Sequence, residues 1–185
     1  MFPRFLVSHI TTCRRVDQYA ESFPEQVTEL GFNEMSKVKE AVSMFGKGFV
    51  CSQAMLSTYG TKFGLDREIA LKVAAAFGGG MGRMGETCGA VTGAFMLIGL
   101  KYGNIKAKDK KARRETYELV KEFVSKFESL HGSIKCKDLL GHDISTPEGW
   151  NAAKKKKVFK TVCPKYVQDA AEIIEQILEP ISKTI

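Results

Sequence analysis

Residues 77–93 read FGGGMGRMGETCGAVTG, and two folds compete for them. Gly80-Met81-Gly82-Arg83-Met84-Gly85 has the G-x-G-x-x-G spacing of a dinucleotide-binding turn. Such a turn follows a strand, opens a helix, and needs an acidic residue about 20 positions on at the tip of a second strand. Here Leu65, Ile69, Val73, Ala76 and Phe77 recur at helical spacing, so the segment entering the glycines reads as the end of a helix. Tyr102 to Asp109 offers a charged loop where the second strand belongs. The match is therefore a coincidence of spacing. The glycines instead open backbone angles closed to other residues and let the main chain approach another object closely.

Outward from this loop the pattern is helical. Upstream, Met35, Val38, Val42 and Phe45 recur at helical steps after Asn33, a good N-cap, and Gly46 to Gly48 stop the run. A second run begins at Cys51 with Met55, Leu56, Tyr59 and Phe63 on one side, and the third, capped by Asp66, runs into the loop. Downstream, Glu86 to Leu100 forms a small-residue helix. Leu119, Val120, Phe123, Val124, Phe127 and Leu130 mark a long amphipathic one that closes at His131-Gly132. Short helical turns are expected at Lys137 to Leu140 and after Pro147, and a last helix from Cys163-Pro164 carries Val167, Ala171, Ile174 and Ile177. No window alternates as a strand does. The fold class expected is all-α, a helical bundle of about five to six helices with a glycine-rich loop. Residues 1–33, with Pro3 and Pro24 and no sustained periodicity, form an N-terminal extension to a domain at 34–185.

Composition narrows the function classes. The chain has 185 residues, 44% hydrophobic and 26% charged, which is enough to close one apolar core. The longest apolar run, Gly89 to Leu100, is far shorter than the roughly 20 residues that span a bilayer. Arg14-Arg15 is not followed by the apolar core of an export signal, so a cytoplasmic location and no membrane span are expected. The net charge of +7 is gathered in runs such as Lys154 to Lys157 without interleaved aromatics, which reads as solvated surface and not as a nucleic-acid site.

The chemistry lies in the cysteines. Of Cys13, Cys51, Cys88, Cys136 and Cys163, the last four each fall at a predicted helix N-terminus, where free N–H groups and the helix dipole favour a thiolate. Cys13 lies in the extension and is read as incidental. No Ser/His/Asp set and no paired carboxylates compete.

Cys51 with Ser52-Gln53-Ala54, Gly78 to Arg83 followed by Cys88-Gly-Ala-Val-Thr-Gly93, Cys136 with Leu139-Leu140-Gly141, and Cys163 resemble the redox-active protein family labelled C_GCAxxG_C_C. The resemblance runs from about Met35 to Leu178, with the central motif written cysteine first. It implies a bacterial or archaeal protein encoded near transporters and oxidoreductases, hence with such proteins as partners, that holds a prosthetic group such as an iron–sulfur cluster. A homodimer is left open.

Three chemistries meet the pattern. The first is a [2Fe–2S] or [4Fe–4S] cluster used for electron transfer, ligated by Cys51, Cys88, Cys136 and Cys163, with the backbone of Gly80, Gly82 and Gly89 close around it. The ligands have 36, 47 and 26 residues between them, so only the folded chain can assemble them. The second is reversible dithiol–disulfide exchange across helices, since no C-x-x-C is present. The third is a zinc site, four thiolates being sufficient for it. A non-catalytic metal-binding accessory protein for a transporter or oxidoreductase fits the partners that the resemblance implies equally well. His142 is expected as a surface loop residue, and Arg83 and Glu86 as charges that tune a cluster or dock a substrate anion, or as a salt bridge on the loop.

Overall fold

The computed structural model describes residues 36–178. The extension, Cys13 and the Asn33 cap lie outside these residues. The described chain is all-α, with no strand and a single isolated antiparallel bridge between Thr87 and Lys135. None of its helices is long and apolar enough to cross a membrane.

Helix boundaries follow local chemistry. Helix α1 (Lys37–Gly46) is capped by the Ser36 hydroxyl, which accepts from Lys39 N–H at 3.4 Å. Helix α2 (Cys51–Tyr59) starts where Gln53 Oε1 accepts from Val50 N–H at 3.1 Å, and it tightens into a 3-10 turn over Gly60–Phe63. Asp66 caps α3 (Arg67–Ala74) through Ile69 N–H at 2.9 Å. Helix α4 (Gly89–Tyr102) follows the glycine loop, and Asp109 caps α5 (Lys110–His131) through Ala112 N–H at 3.0 Å. Residues 133–162 hold α6 (Cys136–Leu140), α7 (Pro147–Lys155) and α8 (Val158–Thr161), before α9 (Cys163–Leu178). The helical segments thus outnumber the expected five to six, because the least regular stretch of sequence folds into short helices.

Helix α4 is buried nearly all round, from Gly89 and Ala90 to Leu97 and Ile98, and forms the centre of the bundle. It packs on α2 so closely that a Cβ on Gly93 would lie 2.6 Å from Met55 Cβ. Helices α1, α3, α5 and α9 enclose this pair. Phe123 and Phe127 of α5 are fully buried, stacked at 6.0 Å, with Phe95 edge-on to Phe123. Each such side chain contributes about 1.5–3 kcal/mol by leaving water.

The third helix turns a different face inward than its larger residues suggest. Ile69 and Val73 are each 52% exposed, while Ala70 and Ala74 are fully buried. Hydrogen bonds decide this orientation: Ser52 Oγ donates to the Ala74 carbonyl at 2.7 Å and Gln53 Nε2 to the Leu71 carbonyl at 2.9 Å. Both bonds require the backbone of α3 to lie close to α2, and only alanine leaves room for that approach.

A second apolar cluster lies apart from the main core. It gathers Cys136, Leu140, Ile144, Ala153 and Cys163, with Trp150 and Phe159 packed against it. Cys51 and Cys88 belong to the main core.

Candidate functional site

The two clusters meet at a cavity of about 760 Å³, and all four helix-start cysteines line it. Cys51, Cys136 and Cys163 are the first residues of α2, α6 and α9, and Cys88 is the N-cap of α4. All four are free thiols; Cys88, Cys136 and Cys163 are buried, and Cys51 keeps partial exposure.

The glycine loop explains how Cys88 and Cys136 come together. Gly79, Gly80, Met81, Gly82 and Arg83 are five consecutive residues with φ between 62° and 68°, a single left-handed helical turn. Gly82 and Arg83 N–H donate to the Gly78 carbonyl at 3.0 and 3.3 Å. Left-handed backbone costs a residue with a side chain about 1–2 kcal/mol, so three of the five being glycine is a physical requirement. The chain then leaves as an extended strip: Cys88 N–H donates to the Ile134 carbonyl at 2.8 Å, Cys136 N–H to the Glu86 carbonyl at 2.6 Å, and Lys137 N–H to the Gly85 carbonyl at 2.9 Å. This short ladder holds the two cysteines side by side at the starts of α4 and α6. Of the glycines singled out, Gly82 and Gly89 line the cavity, together with Gly78 and Gly79. Gly80 lies behind the wall, where a Cβ would come within 2.7 Å of Cys136 Cβ.

The thiols differ in acidity. Cys88 is held below the ordinary thiol range by a hydrogen bond from Cys51 and by the N–H groups of Ala90 and Val91, against the opposing effect of burial. Cys51 is pushed well up because its proton serves Cys163 and Cys88 together and its surroundings are dry. Burial, and then the nearby charge of Cys88 and Cys163, push Cys136 up as well. The arrangement favours the thiolate form at Cys88 and the protonated form at Cys51.

Tyr166, three residues after Cys163 and so on the same side of α9, also lines the cavity. Its hydroxyl donates to the Leu139 carbonyl at 2.7 Å, and burial followed by the neighbouring thiols raises its pKa. Behind Tyr166, the His131 ring meets it edge-on at 4.9 Å. His131 Nε2 lies 3.0 Å from Oδ2 of the buried Asp169, whose Oδ1 takes Lys165 at 2.5 Å. No pattern in the sequence pairs His131 with Asp169, and Tyr166 has no signal there beyond its place one turn along from Cys163. Trp150 and Phe159, 4.9 Å apart, form the outer wall, with the Arg83 guanidinium 4.1 Å from the Trp150 ring centre.

No salt bridge joins Arg83 to Glu86: Arg83 stacks on Trp150, and Glu86 reaches Lys137 at 3.5 Å. His142 is half-buried and does not line the cavity.

Four cysteines are the donor set of an iron–sulfur cluster or a structural zinc ion. Among the described residues, however, no group of three or more His, Cys, Asp or Glu side chains is arranged to hold a metal ion. The number of donors suits these groups; their present disposition is that of thiols in contact with one another.

The family model described as "Putative redox-active protein (C_GCAxxG_C_C)" matches residues 49–177, a span holding every cysteine of the cavity. The chain belongs to this family. No curated protein and no solved structure matches it. The C_GCAxxG_C_C match starts two residues before Cys51 and ends one residue before the last described residue of α9, so the matched span contains the loop, the ladder and the buried residues of the second cluster, while Ala41 and Met44 of the main core precede it.

Proposed function

We propose that the cavity is a dithiol–disulfide centre in which Cys51 is the pivotal sulfur. The observation carrying this reading is that the Cys51 thiol meets both Cys88 and Cys163, while Cys88 is favoured as thiolate. A thiolate beside a protonated thiol is the starting state for disulfide formation. When Cys51 and Cys88 join, an S–S bond forms, the S–H bond of Cys51 breaks, and two electrons and one proton leave for an external disulfide or another two-electron acceptor. Reduction reverses each of these changes. Burial holds the Cys136 thiol well above the ordinary range and so slow to react, which favours oxidation at the pivotal pair over oxidation at Cys136.

The test is to count reactive thiols in the full chain, purified without air, before and after a mild dithiol oxidant and again after re-reduction. The reading expects two thiols lost and then fully recovered. Loss of all five, or of none, sinks it.

A second reading is an iron–sulfur cluster held by Cys51, Cys88, Cys136 and Cys163, favoured by the convergence of all four on one cavity. Such a cluster would supply one-electron chemistry, and the chain's part would be to hold it away from water. Iron and acid-labile sulfide in stoichiometric amounts, with broad visible absorption from the anaerobic protein, would establish this reading over the first.

A further inference from the structure

The cavity is larger than four sulfurs require, and the part beyond them is a built chamber. At about 760 Å³ it falls within the 300–1,000 Å³ range of pockets for small organic ligands. Its walls carry Phe45, Phe49, Trp150, Phe159 and Tyr166, while the glycines beside them contribute bare backbone. Aromatic walls and side-chain-free backbone make a slot suited to a flat ring. The charged lining is equally one-sided: apart from the cysteines and Tyr166, the titratable residues of the cavity are Arg83 and Lys160, and no carboxylate lines it. Among the described residues neither cation pairs with an acidic side chain. Arg83 is instead positioned by its stacking on Trp150, with its N–H donors left over.

We infer that this outer chamber binds a small planar aromatic molecule carrying an anionic group, the ring lying between the aromatic walls and the anion meeting Arg83 and Lys160. The inference deepens the redox reading by placing the ring beside Cys51, the one cavity cysteine that keeps partial exposure; the binding itself stands without that reading.

Trp150 is the chain's only tryptophan, so its fluorescence reports on this chamber directly. The experiment titrates the full-length reduced protein with anthraquinone-2-sulfonate, with the uncharged 2-(hydroxymethyl)anthraquinone as a matched ring and methanesulfonate as a ringless anion. Calorimetry runs in parallel, because substitutions near Trp150 alter its emission. Saturable 1:1 binding of the sulfonated ring is expected, with the neutral ring about tenfold weaker and methanesulfonate without effect. Arg83→Ala and Lys160→Ala each weaken binding of the sulfonate about threefold to fivefold, the worth of one exposed charge pair. Both losses shrink as salt is raised. Bound probe slows alkylation of Cys51, measured by peptide mass spectrometry.

Non-saturable quenching, equal affinity of the unsubstituted protein for the charged and neutral rings, or Cys51 alkylation that ignores bound probe overturns the inference. If the probe binds as described while no thiol pair oxidises reversibly, the redox reading fails and the chamber stands. The reverse pattern removes the chamber and leaves the dithiol centre.

Discussion

Gly80 and Cys136 compete for one space: a Cβ on Gly80 would lie 2.7 Å from Cys136 Cβ and equally close to the backbone N and O of Glu86. The left-handed turn and the first residue of α6 are thus fitted to each other without a gap. Gly80→Ala adds both a left-handed backbone penalty and a clash against main chain. It is expected to cost about 2–4 kcal/mol in urea unfolding. A cost below 1 kcal/mol would show that the turn is looser than this fit implies.

Met81 occupies the same left-handed turn, at φ 62°, with a side chain attached. Met81→Gly removes that penalty and returns part of it as unfolded-chain entropy, for an expected gain of about 0.5–1 kcal/mol. The two neighbouring substitutions therefore move stability in opposite directions. A loss of stability in Met81→Gly would contradict the turn geometry.

The Cys88 thiol is held below the ordinary range chiefly by Cys51. A depressed pKa means that its alkylation rate persists as pH falls below the ordinary thiol range and declines only at lower pH. Cys51→Ala removes the principal donor while burial still opposes charge, so the Cys88 rate profile moves to higher pH. Cys51→Ser, which keeps a hydroxyl donor, moves it less. Cys136, pushed upward, reacts more slowly than Cys88 through neutral pH. Peptide-resolved rates from pH 5 to 10 check the order, and an unmoved profile in Cys51→Ala would refute the assignment.

Asp169 is 3% exposed and serves His131 and Lys165 at once. Asp169→Ala leaves the half-enclosed His131 without its carboxylate and is expected to cost about 1–3 kcal/mol. Lys165→Ala, which removes an exposed partner, costs under about 1 kcal/mol. Chemical unfolding of the two variants side by side separates the buried contribution from the surface one.

Helical periodicity and cap residues made the bundle legible: Asp66 opens α3 as expected, and the cysteine-bearing helices begin where glycine or proline punctuation placed them. Periodicity failed where side-chain size misled. Ile69 and Val73 point outward because Ser52 and Gln53 bond the α3 carbonyls, a contact between two helices that no single-helix pattern encodes. The site was legible in its sulfurs and not in its walls. Four cysteines share a placement along the chain, whereas Trp150, Phe159 and Lys160 reach the cavity only because α7 and α8 fold back over α6, in a stretch whose basic run reads as plain surface. The close approach argued for the glycines is real, but at Gly80 the approaching object is Cys136 itself.

The most direct test of the central claim is to equilibrate the anaerobically purified full chain across a series of glutathione redox buffers, trap the thiols with acid and alkylation, and map every disulfide by mass spectrometry. The account predicts one reversible transition, two electrons per chain, that joins Cys51 to Cys88 while Cys136 remains a free thiol. A protein whose four cavity cysteines stay reduced across the series, or whose reversible disulfide leaves out Cys51, would contradict it.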